Sequence, residues 1–151
     1  MPGEQWLIDT NVILRWIQPE DREFSLVRNA ITKLEQVGSV PCYTSQNLGE
    51  FWNALTRPLN RNGHGATSQE ANRRTEIIES RFRLLPDDLE VHSQWRLLVD
   101  YAICGVQVHD ARLVAAMLVH GVHRILTLNI RDFVRFKEVD AIDPANLDKI
   151  Q

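Results

Sequence analysis

Apolar residues along the chain follow two alternating rhythms. Short apolar runs give way to longer stretches in which apolar positions recur every three or four residues. Gln5-Trp6-Leu7-Ile8 ends abruptly at Asp9-Thr10-Asn11, which predicts a buried strand and a polar triplet that opens a helix. That helix carries Val12, Ile13, Trp16 and Ile17 before Pro19 stops it. Over residues 23–37, Phe24, Val27, Ile31 and Leu34 mark an amphipathic helix closed by Gly38. Residues 39–43 predict a second strand. Thr44 or Ser45 then starts a helix through Leu55, halted at Arg57-Pro58.

Residues 59–67 hold Asn60, Asn62, Gly63 and Gly65 and form the clearest loop. A polar helix over 68–81 and a short strand over 82–85 precede Pro86. Residues 89–104 read as a helix burying Val91, Trp95, Leu98, Val99 and Ala102, with Gly105 ending it. Val106-Gln107-Val108 reads as a short extended segment leading to a helix over 110–120, which stops at Gly121. A strand over 124–128, a turn or short helix over 129–136 and a last strand over 139–142 complete the chain before Pro144. Strands alternating with helices imply an α/β class with a mostly parallel sheet, and 151 residues form a single domain, 1–151.

Composition adjusts this picture in a few places. With 44% apolar and 25% charged residues the chain is globular rather than disordered. The longest clean apolar run, residues 113–119, falls far short of the ~20 residues a membrane span needs. The opening Met1-Pro2-Gly3-Glu4-Gln5 has no basic-then-apolar secretion pattern, so a cytoplasmic location without a membrane partner is expected. Cys42 and Cys104 lie in apolar segments without CxxC spacing, and both are expected to be buried thiols.

The net charge of −3 weighs against a nucleic-acid partner on its face. If four acids served a metal ion, however, the remaining surface would carry about +1. Fourteen of the seventeen basic residues are arginine, the better planar partner for phosphate. Arg57, Arg61, Arg73, Arg74, Arg81 and Arg83 crowd one stretch, opposed only by Glu70, Glu76 and Glu79. The structural alternative there is a solvated helix face of Glu–Arg pairs.

In parallel α/β folds the site lies beyond the carboxyl ends of the strands. Asp9 follows the first strand, Asp110 follows Val106-Gln107-Val108, and Asn129 and Asp132 follow the strand over 124–128. Each also suits the start of a helix: Asp9, Asp110 and Asn129 as caps, Asp132 as a first-turn acid. Glu50 lies opposite the apolar stripe Leu48, Phe51, Trp52 and Leu55, where a solvated glutamate is the plain alternative. His120-x-x-His123 has no further ligand at zinc spacing. Phosphate-loop, dinucleotide and nucleophile-elbow motifs are absent. A phosphatase would want a second Asp where Asn11 stands.

Taken in order, Leu7-Ile8-Asp9-Thr10-Asn11, Gly49-Glu50-Phe51-Trp52-Asn53, His109-Asp110-Ala111-Arg112-Leu113-Val114-Ala115 and Leu126-Thr127-Leu128-Asn129-Ile130-Arg131-Asp132-Phe133 resemble the PIN-domain family. The likeness is to its VapC-type toxins and spans Leu7 to about Pro144. It implies a three-layer α/β/α sandwich that gathers Asp9, Glu50, Asp110 and an acid of the 129–132 segment into one pocket. It implies Mg²⁺- or Mn²⁺-dependent endoribonuclease activity, an RNA substrate, an antitoxin partner and a homodimer, for which Trp16, Ile17 and Phe24 could supply an interface. Thr10, Asn11 and Thr127 match positions that shape the pocket. Many relatives carry an acid where Asn129 stands; here the acid is Asp132, one turn on.

The chemistry supports the same picture independently. Crowded carboxylates repel, and a hard divalent ion with oxygen ligands relieves that repulsion. Arg57, Arg61, Arg73 and Arg74 would hold flanking phosphates. Two other readings share the fold: an RNA-processing nuclease without an antitoxin, and a module that binds without cutting.

Overall fold

A computed structural model describes residues 3–150; Met1, Pro2, Gln151 and the side chain of Val99 lie outside the described residues. Five strands form one sheet: β1 (Gln5–Ile8), β2 (Val40–Thr44), β3 (Arg83–Leu85), β4 (Arg124–Leu126) and β5 (Asp140–Ile142). Their spatial order is β3-β2-β1-β4-β5, and every neighbouring pair is parallel. The chain therefore builds outward from β1 to one edge, then returns and builds outward to the other. β1 marks the topological switch point, where such sheets open a crevice at their carboxyl end.

Alternation along the strands fixes the layers. Trp6 and Ile8 of β1, Tyr43 of β2 and Leu126 of β4 enter one core. Leu7, Cys42 and Ile125, their immediate neighbours, enter the other. Helices α1 (Thr10–Trp16), α2 (Phe24–Gln36), α3 (Ser45–Thr56) and α4 (Ser68–Arg81) cover the first face. Helices α5 (Leu89–Leu97) and α6 (Gln107–Val119) cover the second. The result is a three-layer α/β/α sandwich. No helix among the described residues is long and apolar enough to cross a membrane.

Several expectations change. Val106-Gln107-Val108 is not extended. Turn hydrogen bonds from Gln107 N to Cys104 O (3.2 Å), Val108 N to Gly105 O (3.2 Å) and His109 N to Val106 O (3.0 Å) wind it into the start of α6. The helix expected over 89–104 ends at Leu97, tightens into a 3₁₀ turn (Leu98–Tyr101) and breaks at Ala102, whose φ is 54°. Cys42 is buried but Cys104 is exposed, because it falls in this loop rather than in a helix. Trp16 and Ile17 belong to the core of the monomer and cannot also form a dimer interface. Arg28 stacks on Trp16, its guanidinium 4.1 Å from the ring centroid, and covers it further.

Candidate active site

Asp9 stands one residue beyond β1, and its N–H still donates to Leu126 O at 3.0 Å. Its backbone is extended while the next residue is helical, so its Oδ1 caps α1 by accepting from Thr10 N at 2.8 Å. The cap is also part of a site. Oδ2 accepts from Thr127 Oγ1 at 2.7 Å and from Asn11 Nδ2 at 3.2 Å. Asn11 Oδ1 in turn accepts from Leu128 N at 3.2 Å, and Thr127 Oγ1 accepts from Asn129 N at 3.0 Å. Asp9-Thr10-Asn11 and Thr127-Leu128-Asn129 thus lock together across the ends of β1 and β4. Asp9 is 7% exposed, and burial pushes its carboxyl up to about 6. The bonds from Thr127 and Thr10 pull it down, while Glu50 and Asp132 push it up.

Asp110 does not follow a strand, nor does it cap α6. The N-cap position belongs to Val106, and Asp110 sits inside the first turn. Its carboxyl is pushed up to about 7, first by burial and then by the charges of Asp132, Asp9 and Glu50. Arg135 opposes this shift. Four acids from four separate segments therefore act on one another. Glu50 is exposed on α3, as the helical wheel expects. Asp132 closes the 3₁₀ turn Ile130–Asp132, and Asn129, at its N-cap position, makes no side-chain capping bond among the described residues.

Asp9, Glu50, Asp110 and Asp132 line a single cleft of about 350 Å³, together with Thr10, Asn11, Asn53, Arg57 and Asn129. Thr127 lies behind Asp9 as its donor. Of the four arginines expected near phosphate, Arg57 lines the cleft and the other three do not. Arg61 is exposed in the turn Leu59–Arg61. Arg73 grips Glu70 through Nε (3.0 Å) and Nη2 (2.7 Å), and Arg74 Nε binds the same carboxylate at 2.8 Å. Those bonds hold Glu70 down at about 2. This is the Glu–Arg helix face that the sequence offered as the alternative.

Among the described residues, no three His, Cys, Asp or Glu side chains close into a ready cation cage. The donor set nevertheless fits a hard cation: four carboxylates, no sulfur and no ring nitrogen, with Arg57 as the one basic side chain on the cleft wall among the described residues. Mg²⁺ typically binds through few carboxylates and keeps several waters, so a loose arrangement suits it.

Three residues of this region escape sequence reasoning. Asn47 is wholly buried; its Oδ1 accepts from Thr44 N (2.8 Å) and Thr44 Oγ1 (3.0 Å), and its Nδ2 donates to Thr10 Oγ1 at 3.1 Å. The Thr44-x-x-Asn47 spacing was a legible capping box; the bond to Thr10 was not. Gln46 reaches Glu50 and the α6 backbone. Arg135 Nη1 donates to Gln107 Oε1 at 2.6 Å. Nothing local in the sequence marks the last two.

An α/β domain with an acidic cleft at the switch point of a parallel sheet is the class these features define. The chain belongs to the PIN domain family, whose profile matches residues 6–141. Solved structures agree on the fold. A chain of the VapBC2 complex from Rickettsia felis, bound to a promoter DNA fragment, superposes with a TM-score of 0.69 at 14% identity, covering 92% of this chain and 98% of that one. DNA-bound VapBC from Salmonella typhimurium gives 0.68 at 18%, covering 93% and 98%. VapC20 from Mycobacterium tuberculosis, a sarcin–ricin loop cleaving toxin, gives 0.58 at 18%, covering 79% and 85%. No curated protein matches the chain.

Proposed function

We propose that the protein is a divalent-cation-dependent endoribonuclease of the VapC toxin type. The observation that carries this reading is the shared cleft of Asp9, Glu50, Asp110 and Asp132, with Arg57 on its wall. These four carboxylates would hold Mg²⁺ or Mn²⁺. A bound ion of this kind supplies positive charge at the scissile phosphodiester and makes water a better nucleophile.

The chain's own residues do the rest. Thr127, Thr10 and Asn11 fix the Asp9 carboxylate before anything binds, so little ordering cost remains. Asn129 and Asn53 offer neutral donors and acceptors beside the acids, suited to orienting water or ribose hydroxyls. Arg57 is placed to hold a phosphate of the RNA next to the acids; its Nε is buried without a partner among the described residues. The fold shared with toxin–antitoxin complexes supports an antitoxin protein as partner. A homodimer would use a face other than Trp16 and Ile17. Leu89, Leu97 and Val106, which start and end α5 and precede α6, are exposed apolar side chains open to that role.

The test is cleavage of a labelled RNA oligonucleotide by purified protein. Cutting is expected with Mg²⁺ or Mn²⁺, and is expected to stop in EDTA and resume when the ion is restored in excess. Undiminished cutting in excess chelator would overturn the reading.

A further inference from the structure

We infer that Gln46 and Asn47, at the start of α3, form a clamp that sets the spacing of the acids, with Gln46 the positioning residue for Glu50. The inference rests on the cation-site reading above.

Consecutive helix residues point about 100° apart, so the two amides reach different neighbours. Asn47 reaches α1: its bond to Thr10 Oγ1 at 3.1 Å ties α3 to the residue after Asp9. Gln46 reaches α6 instead. Its Nε2 donates to Glu50 Oε1 at 2.8 Å, one turn along α3, and to His109 O at 2.9 Å, the residue before Asp110. Both partners are pure acceptors, so the amide can only present its NH₂ group here. The pair of amides therefore joins the three helices that carry or follow three of the four acids.

Glu50 needs such help more than its companions do. It is exposed, and a solvated glutamate samples many rotamers. The other acids of the cleft repel it towards water. The Gln46 bond opposes that drift by tethering the carboxylate to a group already fixed on α6. Glu50 and Gln46 also share the wall of an adjoining cleft of about 420 Å³, with His109 and Arg112. The clamp is not without cost: Gln46 Oε1 is buried and has no partner among the described residues. A glutamine serving only its helix surface would leave that oxygen in water.

The test measures Mn²⁺ affinity directly, by electron paramagnetic resonance of the free ion, on the intact protein without RNA. Gln46→Met keeps the length but cannot donate, and Gln46→Ala guards against a packing artefact of the methionine. Both are expected to weaken Mn²⁺ binding about tenfold, the effect typical of lost outer partners of metal ligands. The melting temperature should stay close to the wild-type value. In a Glu50→Gln background, Gln46→Met should weaken binding little further, because the residue it positions is already neutral. Wild-type affinity in both Gln46 variants, or a lowered melting temperature with unchanged affinity, would overturn the clamp and leave the cation reading standing. A wild-type protein that binds no Mn²⁺ would overturn the cation reading itself, and the clamp with it.

Discussion

Asp9 and Glu50 are carboxylates of the same cleft, yet they are held in opposite ways. Asp9 forms the floor: buried, capping a helix, and bonded by Thr10, Asn11 and Thr127. Glu50 and Asp132 form the rim: exposed, with Glu50 steadied by one glutamine. Under the proposed function, a fixed floor would give the ion one defined ligand, and a looser rim would let the remaining acids adjust around ion and substrate. The difference also divides the burden of repulsion. Burial places it on Asp9 and Asp110, whose carboxyls are pushed up to about 6 and about 7. Solvent screens the rim.

The comparison can be broken most forcefully at the floor. Thr127→Val removes the shortest bond to Asp9 and leaves a buried carboxylate oxygen under-satisfied. It is expected to cost about 1–3 kcal/mol in denaturant unfolding and to slow cleavage by more than the equivalent rim change. Unchanged stability would mean that the floor is not locked as described.

The next effect is on pH. Asp9 and Asp110 have folded values above the ordinary 3.8, so between about pH 4 and 7 the metal-free folded state binds more protons than the unfolded chain. The contribution of these two carboxyls to stability in EDTA is therefore fully present below about pH 4 and is lost as pH rises through 6 and 7. Glu70, held at about 2, titrates below this window and does not interfere. Thermal melts in EDTA from pH 4.5 to 7.5 should show the decline, and Mg²⁺ at pH 7.5 should reverse it. A flat profile would remove the crowding argument.

Much of this molecule was legible in its sequence, for identifiable reasons. The central strands β1, β2 and β4 lie buried in a parallel sheet and so read as apolar runs. All five strands fall within a residue or two of the expected segments, although the edge strands β3 and β5 are largely exposed or half-buried. Asp9 was legible because it ends such a run. Where the local pattern misled, neighbouring backbone decided the outcome. Val106-Gln107-Val108 has strand-like alternation, but Gly105, at φ 57°, starts the turn that becomes α6. Asp110 consequently enters the cleft from inside a helix rather than from a strand end. Arg73 and Arg74 could not be separated from Arg57 by charge alone; only the reach of Glu70 between them does that. Asn47 and Gln46 act through contacts 37 and 63 residues away, respectively, which no local pattern encodes.

At the rim the effects are smaller. Asp132→Asn is expected to raise the Mg²⁺ concentration for half-maximal cleavage several-fold, while Asn129→Asp leaves activity intact or lowers that requirement. Metal titrations of the cleavage rate check both. An Asp132→Asn curve that overlays the wild type would confine the site to Asp9, Glu50 and Asp110. Smallest of all is the arginine contrast. Arg57→Ala should reduce the salt dependence of RNA binding by about one phosphate contact, whereas Arg73→Ala with Arg74→Ala should leave the slope nearly unchanged. The reverse order would place the RNA along α4 instead of the cleft.

Asp110 tests the central claim most directly, because there function and stability pull in opposite directions. It caps no helix end, it is half-buried, and its charge is opposed by three other acids. The measurement is a paired one on Asp110→Asn: cleavage of RNA in saturating Mg²⁺, and the melting temperature in EDTA at pH 7.5. Loss of about two to three orders of magnitude in rate is predicted, together with a melting temperature equal to the wild type or about 2–4 °C higher. A variant that cuts at the wild-type rate and melts lower would contradict the account, and would return Asp110 to a purely structural role.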